Sequence, residues 1–306
     1  MADEKCLLGA PRAVTYAVPD LLIIERAYIE TLDYVVASRS WIRPAQARAW
    51  NAPAVEGRRT LVLAPASGEA VYLRFVESAA ADGWRALTTY GWNATEYVVQ
   101  DVDALARRLE KSEHFEIIGP PKGLTRFPMI RAMQVIGPAG ECCYFTEVGP
   151  GSGLDIAPAL SFVGRVFIVV AAGPDVDALF EPFSAFINSI DPPVATPVRV
   201  ISDAHGLPPE TLYRHGLVRL PGGTLIELDA YPSSAKARRV TEGELPPGMA
   251  IVSFDVEHLG CRAFAGRPAA CDLPGVEGPA GCLRGAAGEL IELVLTTHSA
   301  LQEIAS

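Results

Sequence analysis

Two short stretches, Tyr16-Ala17-Val18-Pro19-Asp20 and Tyr97-Val98-Val99-Gln100-Asp101, share the pattern Y-x-V-x-D, and reading them together decides the fold. Each is followed by a segment dominated by Ala, Leu, Arg and Glu, residues 22–32 and 102–111, whose composition favours helix. Further on, Gly68-Glu69-Ala70-Val71-Tyr72 matches Gly140-Glu141-Cys142-Cys143-Tyr144. In both, the glycine sits in a turn after a β-rich run, residues 60–64 and 132–137. Two landmarks in the same order define two copies of one unit: strand, helix, then further strands.

The second half repeats the plan with weaker identity. Val166-Phe167-Ile168-Val169-Val170 reads as a buried strand, Asp175-Val176-Asp177-Ala178-Leu179 opens a helix, and residues 197–201 are expected to start the next strand. Leu217-Val218-Arg219-Leu220 and Thr224-Leu225-Ile226-Glu227-Leu228 flank Pro221-Gly222-Gly223, where glycine supplies the positive φ of a tight turn. The last unit opens at Ala250-Ile251-Val252-Ser253-Phe254-Asp255 and closes at Gly288-Glu289-Leu290-Ile291-Glu292-Leu293; its helix is poorly marked, and Pro and Gly between 266 and 281 suggest loops. The segment Gly149-Pro150-Gly151-Ser152-Gly153 reads as a linker, which sets the expected domains at residues 1–150 and 151–306, two units in each. The expected class is α+β, with four βαβββ units paired within consecutive domains.

The 306 residues are 49% hydrophobic and 20% charged, enough apolar material for about two cores at roughly 150 residues per domain. A net charge of -10 gives no basic surface for a phosphate backbone, so nucleic acid is not an expected partner. The apolar run at 162–172 is interrupted by Arg165 and falls well short of the ~20 residues of a membrane helix, so no membrane association is expected. The start carries Asp3 and Glu4 where a secretion signal needs basic residues. Cys261, Cys271 and Cys282 are too widely spaced for a CxxC clamp, and the six cysteines read as reduced thiols in a cytoplasmic protein.

The order strand, V-x-D, helix, three strands, closing on G-x-x-x-E-L, resembles the module of the vicinal oxygen chelate superfamily, which includes glyoxalases and extradiol dioxygenases. The resemblance covers most of the chain and is sharpest at Gly223-Thr224-Leu225-Ile226-Glu227-Leu228 and Gly288-Glu289-Leu290-Ile291-Glu292-Leu293. It implies paired modules curled around a cavity, with a divalent metal held by first-strand side chains, commonly His, and by a last-strand Glu. Glu292 and Glu227 fall on the carboxylate position of the fourth and third units, whereas the first two units carry Tyr144 and Tyr72 four residues after the glycine. The first-strand positions, expected near residues 13–15, 94–96, 165–167 and 248–250, contain no His. A divalent metal therefore stays open and no cofactor is assigned.

The candidate catalytic residues are Glu292, Glu227 and His215. By strand alternation the two glutamates face the interior, where desolvation raises a carboxyl into the range useful for acid/base work, and they are expected to act as a pseudo-symmetric dyad in the C-terminal half. The alternative for each is an ion pair with an Arg such as Arg219 or Arg284, or simple solvation. His215 would serve as an acid/base partner or as the imidazole of a displaced metal site, the alternative being a surface or hydrogen-bonded histidine with no such role. The resemblance implies an enzyme acting on a small, partly apolar organic molecule with a carbonyl or enolisable group, by isomerase or lyase chemistry. The alternatives are a metal-free protein that sequesters a hydrophobic ligand and an extradiol-type dioxygenase. A small organic molecule is the expected partner, and a homodimer is left open.

Overall fold

The Asp that closes each Y-x-V-x-D stretch turns strand into helix. In the computed structural model, which describes residues 7–79, 84–124, 127–152, 155–187, 191–259 and 264–296, Asp20 Oδ1 accepts hydrogen bonds from the Leu22 and Ile23 amides at 2.8 and 3.2 Å. Asp101 Oδ1 accepts one from Ala104 at 2.7 Å. First-turn amides have no partner inside a helix, so an extended Asp that supplies one fixes where the helix starts. The first unit runs β1 (Pro11–Val18), α1 (Leu21–Leu32), β2 (Val35–Trp41), α2 (Pro44–Ala49), β3 (Arg59–Ala64) and β4 (Tyr72–Glu77). The second runs β5 (Gly91–Val99), α3 (Val102–Leu109), β6 (Glu116–Gly123), β7 (Ile130–Ile136) and β8 (Cys142–Val148).

Asp175 repeats the cap in the third unit, accepting from the Asp177 amide at 3.1 Å. That unit comprises β9 (Val163–Gly173), α4 (Val176–Phe180), β10 (Val194–Pro197), α5 (Arg199–His205), β11 (Leu212–Leu220) and β12 (Thr224–Ala230). The fourth has β13 (Gly248–Val256), β14 (Ala269–Ala270), β15 (Pro279–Arg284) and β16 (Leu290–Leu295), with no helix among its described residues. Residues 197–201, expected to begin a strand, instead end β10 and lead into α5. Val200, Ile201 and Ser202 bury one side of that helix, and Gly206, at φ 63°, ends it in a left-handed conformation that glycine adopts without strain.

The strands form two eight-stranded mixed sheets, ordered β14-β15-β16-β13-β1-β4-β3-β2 and β10-β11-β12-β9-β5-β8-β7-β6. Within each unit the first and last strands are parallel. Between units the first strands meet antiparallel, Ala13 opposite Ser253 and Ala94 opposite Val170. Units one and four thus share one sheet, and units two and three the other. The expected pairing of consecutive units within residues 1–150 and 151–306 is not how the sheets are built. The connection from β8 to β9 lays the third unit antiparallel along β5, which completes the second unit and leaves the fourth to complete the first.

Alternation along the strands sends Tyr16, Phe75, Tyr97, Phe145, Val169 and Phe254 into one large core shared by both sheets and their helices. The recurring tyrosines are packing residues there: Tyr16 stacks on Phe75 with ring centroids 5.3 Å apart, Tyr97 on Phe145 at 5.2 Å, and the Tyr16 and Thr95 hydroxyls are hydrogen bonded at 2.9 Å. The other face of each sheet is concave and carries its own smaller apolar cluster. No helix among the described residues is long and apolar enough to cross a membrane.

Candidate functional site

Strand register identifies four matching positions on each concave face. In the first sheet Thr15 pairs with Arg74 and Ser253 with Glu292; in the second Glu96 pairs with Tyr144 and Val170 with Glu227. The first unit has two more residues between Gly68 and this position than the second has after Gly140, so the counterpart of Tyr144 is Arg74 and not Tyr72. The first-strand positions of the third and fourth units likewise fall at Val170 and Ser253, beyond the expected 165–167 and 248–250, because β9 and β13 are long and antiparallel pairing with β5 and β1 sets the register.

The first sheet's four positions are closed by an ion pair. Arg74, fully buried, donates from Nη2 to Glu292 Oε2 at 2.7 Å, from Nη1 to Asp272 Oδ1 at 2.6 Å and from Nε to Thr15 Oγ1 at 2.8 Å. Glu292, whose side chain is 4% exposed, also accepts from Trp50 Nε1 at 2.6 Å and Ser253 Oγ at 2.5 Å. The Arg74 guanidinium lies 4.6 Å over the Trp50 ring. Burial works against its charge, but the carboxylates of Glu292 and Asp272 outweigh that and hold it protonated. Glu292 therefore has an arginine partner other than the Arg219 or Arg284 considered from sequence, and both of its oxygens are occupied by protein donors.

The second sheet's four positions are not sealed in this way. Glu96 and Tyr144 are half-buried, and His215 and Glu227 have side chains 18% and 24% exposed. His215 on β11 and Asp229 on β12 are directly opposed in register, and Glu227 shares the face of Asp229 two residues away. His215 Nδ1 stands 3.7 Å from Glu227 Oε1. Glu96 accepts a hydrogen bond from Thr146 Oγ1, yet burial pushes it up to about 7, with the Glu227 charge adding to the effect. Burial also raises Glu227, against the pull of His215, and raises Asp229 further because Glu227 lies beside it. The Tyr144 phenol is raised by burial, then by Cys142, Tyr231, Glu227 and Asp229, so it stays a protonated donor. Ala94, Val98, Ile168, Val170 and Tyr213 supply an apolar lining, and α5 packs against it through Val200 and Ile201.

A separate cavity of about 300 Å³ lies where Tyr90 and Trp92 of the second unit meet Arg238, Met249, Arg284 and Glu289. Its half-buried cation is committed to structure: Arg238 donates to the carbonyls of Trp92, Pro247 and Met249 and to the Thr89 hydroxyl. The titratable cluster belongs to the second sheet's concave face.

This architecture of four units in two curled sheets has known counterparts. Glyoxalase I from Zea mays superposes with a TM-score of 0.59 over 96% of this chain and 95% of its own, at 13% identity. A candidate dioxygenase from Bacillus subtilis gives 0.60 over 94% and 86%, at 12% identity. The chain has a glyoxalase-like fold. No family model matches it and no curated protein is similar to it in sequence. The metal positions implied for this glyoxalase-like fold are the eight matched residues, and neither set suits a cation. In the first sheet a guanidinium stands among them; in the second, Val170 offers no donor and none of the four is an imidazole.

Of the residues singled out from sequence, Glu227 and His215 are brought together, whereas Glu292 lies in the other sheet, so Glu227 and Glu292 do not form a dyad. The same face also draws on the N-terminal half through Glu96 and Tyr144. Glu96, Arg74 and Asp229 escaped the sequence reading. Glu96 is a charge in an apolar strand one residue before the repeated Tyr97, and Asp229 follows Glu227 at the two-residue spacing that keeps one face.

Proposed function

We propose that this glyoxalase-like protein is an enzyme that relocates a proton on a small, partly apolar organic molecule bearing a carbonyl or enolisable group, with isomerase or lyase chemistry in the second sheet's cleft. One observation carries the reading: a half-buried carboxyl, Glu96, shares an open, otherwise apolar concave face with the His215, Glu227 and Asp229 cluster. A carboxyl at about 7 is divided between its two forms at neutral pH, which suits it both to accept a proton from carbon and to return it. Tyr144, protonated at neutral pH, would donate to the oxygen on which charge develops. Ile168, Val170 and Tyr213 would hold the apolar part of the substrate.

The test is exchange of α-hydrogens for deuterium in D2O, followed by NMR across small ketones, hydroxyketones and ketoacids. Exchange that requires the protein and falls with Glu96→Gln supports the reading; exchange on none of these compounds, or exchange indifferent to Glu96→Gln, refutes it. The apolar lining also suits a second reading, a binding protein that sequesters a hydrophobic ligand on this face. That reading calls for saturable ligand binding with no exchange.

A further inference from the structure

The cluster on β11 and β12 contains a buried carboxyl whose neighbour is a second carboxyl close enough to share a proton with it. Asp229 is 4% exposed, its Oδ1 has no hydrogen-bond partner among the described residues, and its nearest ionisable neighbours include another carboxyl, Glu227. His215 Nδ1, facing Glu227, also lacks a hydrogen-bond partner among them. A buried carboxyl set beside a half-buried one is relieved by a shared proton or a shared cation. One donor atom from each of His215, Glu227 and Asp229 lies within 4.8 Å of the others.

We propose that His215, Glu227 and Asp229 bind one divalent first-row transition ion of the Mn(II), Fe(II) or Zn(II) class, at a place displaced from the fold's first-strand positions toward the β11–β12 hairpin. The inference rests on the reading of this cleft as the working site and deepens it. Two carboxylates and a neutral imidazole match a divalent ion in charge, and one nitrogen with two oxygens suits these metals better than Ca(II), which takes oxygen alone. Donors ~2.1 Å from one ion stand roughly 3 Å apart, so the three side chains must draw together by an ångström or more, which rotation about their χ angles supplies. Three protein donors leave further positions open toward the cleft.

Mn(II) alone is the probe: protein stripped with chelator and exchanged into metal-free buffer is titrated while the EPR signal of free aquo Mn(II) is followed. One Mn(II) bound per chain, with at least tenfold weaker binding in both Asp229→Asn and His215→Ala, supports the site, and Asp203→Asn on the surface of α5 should bind as the unaltered protein does. No loss of free Mn(II) signal, or binding that both cluster variants leave unchanged, overturns it. Circular dichroism is recorded on each variant, and His215→Gln and Glu227→Gln replace any that fails to fold. Deuterium exchange on the same samples separates the two ideas. Mn(II) bound without exchange removes the proton-transfer reading alone, and exchange in stripped protein that binds no Mn(II) removes the metal site alone.

Discussion

Arg74 and Glu292 meet at 2.7 Å on the concave face of the first sheet, from the last strands of the first and fourth units, with β1 and β13 between them. The pair joins the two ends of the chain's repeat order and seals positions whose counterparts Glu96, Tyr144 and Glu227 stay half-buried in the second sheet. Removing one partner strands a buried charge, which costs about 3–5 kcal/mol, whereas removing both leaves less uncompensated. Glu292→Gln and Arg74→Met should each lower stability on that scale in urea denaturation. The double variant should lose clearly less than their sum, and strict additivity would show that the two side chains are not coupled.

Activity should follow the second sheet. Glu96→Gln preserves shape and is expected to lower turnover by ~10²-fold or more, as general-base changes do. Tyr144→Phe should lower it less, because only a hydrogen bond to the developing oxygen is lost. Steady-state kinetics on whichever carbonyl compound exchanges decides this, and a larger effect from Tyr144→Phe would reverse the assigned roles.

Stability should fall as pH rises from about 4.5 to about 7. Burial pushes both Glu141 and Glu289 up from 4.5 to about 7, so through that window the folded chain holds protons that the unfolded chain releases. The stabilisation is greatest at the acid end of the window, lost by its upper end, and flat beyond it for these two groups. Glu289 accepts from the Ala287 amide through Oε2, and its buried Oε1 has no partner among the described residues. Glu289→Gln should therefore flatten part of the slope and raise the urea midpoint at pH 8. An unchanged slope in the variant would remove Glu289 as a contributor.

Adjacent glycines in the β11–β12 turn should respond unequally to a methyl group. Both have positive φ, 71° at Gly222 and 67° at Gly223, so alanine costs about 1–2 kcal/mol at either. A Cβ at Gly222 meets nothing within 4 Å, but one at Gly223 would stand 1.9 Å from the Asp155 carbonyl oxygen. Gly223→Ala should lower the thermal midpoint well beyond Gly222→Ala, and equal losses would contradict the close approach of residue 155.

The units were legible because their punctuation is local. Asp20, Asp101 and Asp175 cap helices within three residues of their own position, and the glycines of the turns act on their own backbone. Pairing of the units was not, because Ala13 meets Ser253 and Ala94 meets Val170 through hydrogen bonds that any residue can make. The same blindness hid the ion pair: Arg74 and Glu292 are 218 residues apart, and a two-residue difference in turn length placed Tyr72 where Arg74 stands. Glu227 stood out by its place in the G-x-x-x-E-L motif, and the hairpin that joins β11 to β12 is what brings His215 beside it.

The nested order of the units bears on how such a chain can arise and be divided. A fragment ending after β8 would present β1 and β5 with their antiparallel neighbours β13 and β9 removed, leaving two bare strand edges in one molecule. Two copies of a two-unit fragment could cover each other's edges by reciprocal exchange, giving the arrangement that a duplicated and fused dimer inherits. Once fused, the two concave faces are no longer bound by symmetry to stay alike: one could be sealed with an arginine while the other remained open to solvent.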